Sequence, residues 1–295
     1  RIDCIGRIAA LGRELPGMLK LRIGVFMTLT ALAAMVATPG PSPGPGQAFA
    51  LALAILLAAG GAGGFNQFYE AELDRRMPRT KNRPFASARL KRGPAWLLFY
   101  VCLVTSGVGL GAAAIYVASA LHVFMGAFVS AVVFTVWLKR RTWLNIVVGG
   151  ASGSFAVLAG AAAVDPIPGA IPILLALALF FWTPSHFWCL AIAKNREYRQ
   201  SGIPMLPVIV GNQRAARIVL VNTVILVAFS VMPFFWGMGW VYLVLATAGG
   251  GYLLYHNLNM LTDTSRGVAM KGFLASLLQL MLLLAGAVAG GLLST

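Results

Sequence analysis

The chain has 295 residues, 59% of them hydrophobic and 11% charged, with a formal net charge of +15. A mean hydropathy of +0.82 excludes a soluble globular domain and points to a lipid bilayer. In a soluble chain 23 bases against eight acids would suggest nucleic acid, but here the placement of the bases matters more than their total, and no nucleic-acid partner is expected.

Apolar windows of about 20 residues match a hydrocarbon core roughly 30 Å thick, and the cost of unpaired backbone in lipid makes each of them a helix. Windows of this kind fall near 20–38, 47–70, 94–117, 121–138, 144–163, 169–193, 214–236, 239–259 and 271–293. The predicted fold class is all-α, a polytopic transmembrane helix bundle of about nine spans. It forms a single integral-membrane domain over 1–295, with 1–19 as a cytoplasmic N-terminal segment.

Bases cluster on alternate loops. Five precede the first window (Arg1, Arg7, Arg13, Lys20, Arg22), eight run from Arg75 to Arg92, and Lys139, Arg140 and Arg141 form a third group. Five more lie between Lys194 and Arg217, and Arg266 and Lys271 complete the set. The intervening loops, including PGPSPGPG at 39–46 and VDPIPG at 164–169, carry none. The positive-inside rule then puts the N-terminus in the cytoplasm and, with nine spans, the C-terminus outside. Cys4, Cys102 and Cys189 have no paired spacing, so neither a disulfide nor a metal cluster is expected, and no removable signal peptide is expected ahead of the first window.

The second window ends in NQFYEAELDRRMPRTKNRP, residues 66–84. Asn66, Glu70 and Asp74 are spaced i, i+4, i+8 and share one helical face, drifting about 40° per step. Oxygen ligands at a wet helix end suit Mg²⁺, which takes the rest of its shell from water and substrate phosphates. Glu72 joins them only if the helix unwinds. Arg79, Lys81 and Arg83 follow closely, and carboxylate-held metal beside fixed cations suits a diphosphate. The alternative is that the acids merely pair with neighbouring arginines in a solvated loop. A second basic loop on the same side, 194–208, contains the lone acid Glu197.

These residues resemble the first signature, N-x-x-x-D-x-x-x-D, of the UbiA-type intramembrane prenyltransferases. Within that superfamily the likeness is to the protohaem IX farnesyltransferases, or haem O synthases. It continues through WLKRRTWLNIVVGG at 137–150, WTPSHFW at 182–188 and EYRQSGIPMLPV at 197–208, and covers about residues 20 to 290. Glu70 stands where the pattern often has Asp, Ser185 where a proline is expected, and the second D-x-x-x-D signature is reduced to Glu197 before Tyr198.

The resemblance implies transfer of farnesyl from farnesyl diphosphate to a vinyl group of protohaem IX, on the route to haem A, in a bacterial inner membrane with the site facing the cytoplasm. It implies Mg²⁺ held by Asn66, Glu70, Asp74 and Glu197. Arg79, Lys81, Arg83, Lys139, Arg140, Lys194 and Tyr198 become candidates for holding diphosphate or haem propionates. Haem A synthase or oxidase-assembly proteins are implied partners. His186, flanked by Trp182, Phe187 and Trp188, is a candidate haem-iron ligand or a structural histidine, and Thr183-Pro184 before it should loosen the helix. A transporter remains the reading from another class, and a sibling enzyme acting on a quinone precursor or a chlorophyll-type acceptor the nearer one.

Overall fold

The computed structural model describes residues 12–41 and 43–293. Arg1, Cys4, Arg7 and the rest of residues 1–11 of the expected N-terminal segment lie outside the described residues. Every regular element among the described residues is helical. In chain order these are α1 (Gly12–Met18), α2 (Leu21–Ala37), α3 (Pro45–Tyr69), α4 (Ala71–Arg75), α5 (Pro94–Ala114) and α6 (Val117–Phe128), which continues as a π-helix over Val129–Leu138. Then come α7 (Asn145–Ala161), α8 (Ala170–Ala193), α9 (Asn195–Gln200), α10 (Leu206–Val210), α11 (Asn212–Val231), a 3₁₀ turn (Met232–Trp236), α12 (Gly239–Asn259) and α13 (Arg266–Leu293).

Helices occupy every apolar window of the sequence, but six of them are long and apolar enough to cross a membrane. A seventh span results when α1 and α2, bent by 54° at Leu19 and Lys20, are taken together. α7 falls short in length at 17 residues. α12 is long enough, but Gly249 to Gly251, three tyrosines, His256 and two asparagines dilute its hydropathy.

The helices close into a ring. α2 packs on α3, α3 on α5, α5 on α6, α6 on α7, α7 on α8, α8 on α11, α11 on α12 and α12 on α13, which returns to α2. α2 also crosses to α7, and α8 to α13. Close approach to α2 depends on glycine: a Cβ on Gly160 would collide with the Ala31 carbonyl, so the α7 and α2 backbones touch there. The outer surface is apolar, with Leu98, Val101, Val117, Val221, Val244 and Leu274 all exposed, as a lipid-facing surface requires. α8 runs through Pro184 without interruption, and Asn222 Nδ2 of α11 donates to the Phe181 carbonyl (2.6 Å). A neighbouring helix thus supports the backbone around the proline, as is common in lipid.

Between α4 and α5 the basic stretch is not helical, yet it is anchored. Phe85 is buried with its ring edge-on to Phe68 and to Trp96, both at 5.5 Å. Arg75 Nε donates to the Ala86 carbonyl (2.8 Å), and Thr80 Oγ1 to that of Asp74 (3.1 Å). This fold of the loop brings Arg79 and Arg83 back over the end of α3.

Candidate active site

A cavity of about 1060 Å³ opens inside the ring between α2, α3, α6, α7 and α8. Asn66, Asp74, Arg79, Arg83, Lys139 and Tyr198 line one end of it. The remainder is walled by Met27, Ile55, Ala58, Ala62, Val123 and Ala156 among others. Asn66 and Ile55 are eleven residues apart on α3, which gives the apolar part a depth of roughly 16 Å. Small side chains on α3 and α7 leave that room.

The polar end follows from how α3 terminates. Glu70 caps α3 with φ −92° and ψ 8°, so the regular helix stops there. Its hydrogen-bond spacing nevertheless persists, with Glu70 N donating to Asn66 O (3.0 Å) and Asp74 N to Glu70 O (2.8 Å). The shared face expected from the i, i+4, i+8 spacing is therefore retained across the break. Asn66 and Asp74 face the cavity, while Glu70 between them is fully buried against the π-helix. Glu72 turns outward, bound to Arg75 (3.0 Å) and Arg92 (2.7 Å).

Each of the three inward oxygen donors is met by a cation. The Lys139 ammonium donates to Glu70 Oε2 at 2.5 Å, and Arg83 bonds both carboxylate oxygens of Asp74 at 2.8 and 3.1 Å. The Lys20 ammonium donates to Asn66 Oδ1. Glu70 Oε1 is buried with no hydrogen-bond partner. Burying a carboxylate costs several kcal/mol unless it is paired, so these contacts hold the acids in place. Among the described residues no three His, Cys, Asp or Glu side chains converge into a complete metal cage. A diphosphate-linked Mg²⁺ needs only one or two protein carboxylates; Asn66 and Asp74 on the cavity lining, with one buried Glu70 oxygen left unpartnered between them in sequence, fit that requirement.

Other expected residues lie further off. Glu197 pairs with Lys194 (3.1 Å), and neither lines the cavity, although Tyr198 next to them does. Burial pushes the Tyr198 phenol up, with nearby Arg79 pulling the other way and Glu197 adding to the rise. Arg140 lies over the Tyr69 ring at 5.7 Å, and Lys81 is exposed outside the lining. His186 is buried outside it: Nδ1 bonds Ser276 Oγ (2.7 Å), and the ring stacks between Trp182 (4.4 Å) and Phe273 (4.3 Å). His122 does line the cavity, with Nδ1 on the Ala118 carbonyl (2.7 Å).

Lys20 is the residue that sequence reasoning left among the topological charges. It sits at the break between α1 and α2 with φ 50° and ψ 42°, a left-handed conformation that costs a non-glycine residue roughly 1 kcal/mol or more. Gly63 makes its placement workable, since a Cβ there would press on the Leu19 carbonyl (3.1 Å) and Lys20 Cβ (3.3 Å). The available signal was a charge at the edge of an apolar window, where charges are costly and tend to serve a function.

The profile of the UbiA prenyltransferase family matches residues 27–290. The chain belongs to that family. It is 49% identical over 92% of its length to protoheme IX farnesyltransferase 2 of Paramagnetospirillum magneticum, of which it covers 94%. Protoheme IX farnesyltransferase 1 of Cenarchaeum symbiosum is 34% identical over 88% of this chain and 90% of its own. Among solved structures, a UbiA homologue from Archaeoglobus fulgidus bound to DMAPP and Mg²⁺ has a TM-score of 0.73 at 15% identity, over 94% of this chain and 99% of that one. A structure of digeranylgeranylglyceryl phosphate synthase reaches 0.78 at 14% identity, over 94% and 98%. At such identities the likeness concerns the fold, and the helical ring described above is the fold of this family.

Proposed function

We propose that this UbiA-family protein transfers a farnesyl group from farnesyl diphosphate to a vinyl group of protohaem IX, with Mg²⁺, in the inner membrane of a bacterial cell. The reading rests on a cavity that gathers Asn66, Asp74, Arg79, Arg83 and Lys139 at one end and is walled beyond it mainly by apolar and small side chains. Its support from relatives is 49% identity, over nearly the whole chain, to a protein named protoheme IX farnesyltransferase. Helices in every apolar window, with bases at alternate ends, support nine spans in one domain, N-terminus in and C-terminus out. The polar end then faces the cytoplasm, where a soluble diphosphate head can enter while the tail lies in the apolar part.

Asn66, Asp74 and the free oxygen of Glu70 would hold the ion, which supplies positive charge to the diphosphate as it leaves. Arg83 and Lys139, which bond the Asp74 and Glu70 carboxylates, line the same end of the cavity and are placed to hold phosphate oxygens. Arg79 completes the cradle from the loop. The C1–O bond breaks with its electron pair on diphosphate, and the vinyl π electrons form the new C–C bond to C1. Water adds to the carbon left electron-deficient and loses a proton, giving the hydroxyethylfarnesyl product. Fixed cations in a water-poor cleft favour the first step because they are already oriented where the charge develops. Phe134, Trp182 and Phe187 limit premature capture of the allylic cation by water.

The test is a mass spectrum of haem extracted from cells with and without the protein. A farnesylated, hydrated haem should appear only with it. A prenylated quinone precursor with unchanged haem would move the assignment to the sibling activity.

A further inference from the structure

The Asn66 amide has two unlike ends, and only the oxygen can bind a hard cation. Something must therefore decide which end faces the cavity. Thr135, buried on the π-helix, is placed to do so. Its hydroxyl has one proton, which it donates to the Ser130 carbonyl five residues back (2.8 Å). Toward Asn66 it can then only accept, and Asn66 Nδ2 donates to it at 2.9 Å. Oδ1 is thereby turned the other way, where the Lys20 ammonium meets it.

We infer that Thr135 is a positioning residue for the divalent cation: it fixes Asn66 with its carbonyl oxygen toward the cavity, and Lys20 occupies that oxygen until the metal displaces it. The inference rests on the metal–diphosphate reading of the cavity. Its chemical content is the direction of two hydrogen bonds. The Thr135 hydroxyl passes its proton to a backbone carbonyl, so an acceptor is all it can offer the amide. A valine of the same shape would leave both orientations of the amide available and remove the preference. Outer-shell partners of this kind typically matter by ~10- to 100-fold in metal affinity.

The experiment uses the full chain in lipid nanodiscs, with Mn²⁺ as the probe and electron paramagnetic resonance as the readout. Thr135→Val should weaken Mn²⁺ binding about tenfold and raise the Mg²⁺ concentration for half-maximal turnover by a similar factor, with kcat at saturating Mg²⁺ changed less. Thr135→Ser should restore wild-type affinity. In an Asn66→Asp background the two carboxylate oxygens are equivalent, so adding Thr135→Val should cost little, which also shows that the bundle tolerates valine there. Wild-type Mn²⁺ affinity in Thr135→Val overturns the inference. So does an equal loss in the Asn66→Asp background, because that would be a packing effect. A wild-type protein that binds no Mn²⁺, with or without farnesyl diphosphate, refutes the metal reading itself and is a separate failure.

Discussion

The helices around the cavity and those opposite are about equally apolar, with mean hydropathies of 2.0 for α3 and 2.1 for the α6 span against 2.4 for the α11 span and 2.1 for α13. Yet one side holds a large cavity, and α11, α12 and α13 contribute nothing to its lining among the described residues. On the closed side, polar groups satisfy one another between helices. Ser185 Oγ pairs with Thr223 Oγ1 (2.8 Å), Asn257 Nδ2 donates to Thr223 (2.8 Å), and Tyr242 Oη to the Ser230 carbonyl (2.6 Å). Large buried residues such as Leu226, Tyr242 and Leu253 fill the space between. On the cavity side, Ala and Gly are frequent among the lining residues of α3 and α7, and the charged groups Asp74, Arg79, Arg83 and Lys139 gather at one end. Hydropathy records how much apolar surface a helix has; the size of the inward side chains decides whether it closes.

The largest expected effect is on the open side. Asp74→Asn should lower turnover at least about a hundredfold while the protein still inserts and folds, because asparagine keeps the shape of the side chain and an oxygen for Arg83 and removes only the charge. A divalent-cation chelator should stop the wild type as well. Turnover that survives in Asp74→Asn, or in chelator, would make both sides of the ring merely structural.

Next comes Lys139→Met, which leaves the buried Glu70 carboxylate unpaired. It should cost about 3 kcal/mol in detergent melts and about tenfold in turnover. Stability lost without turnover would place Lys139 on the structural side of the comparison.

His186 sharpens the boundary between the two regions, since α8 borders both. Held by Ser276 and two rings, it should act through packing: His186→Ala should lower stability by about 2 kcal/mol and leave the Soret spectrum of bound haem unchanged. A changed Soret spectrum would return His186 to the acceptor site. The smallest effect belongs to the closed side, where Ser185→Ala should cost about 0.6 kcal/mol, the average for hydrogen bonds between membrane helices, without altering turnover.

The amino-acid sequence by itself determined the solvent, the helical windows and the shared face of Asn66, Glu70 and Asp74. Those features depend on local periodicity and on the cost of charge in lipid, and neither needs a partner helix. Arg79, Arg83, Lys139 and Tyr198 were legible as candidates through their motifs. Only the tertiary structure decided that they line a common cavity while Lys81, Arg140, Lys194 and His186 do not. The reason is that a base one or two residues away along a loop or helix points elsewhere, and which of them faces inward depends on how the loop is anchored by Phe85. Thr135 was not legible, and Lys20 showed only as a charge at the edge of an apolar window. Each gains its role from Asn66 on the neighbouring helix α3, Lys20 by way of a backbone break that Gly63 accommodates and Thr135 by way of a π-helical turn. Contacts between residues 46 and 69 positions apart are set by packing, which local sequence pattern does not encode.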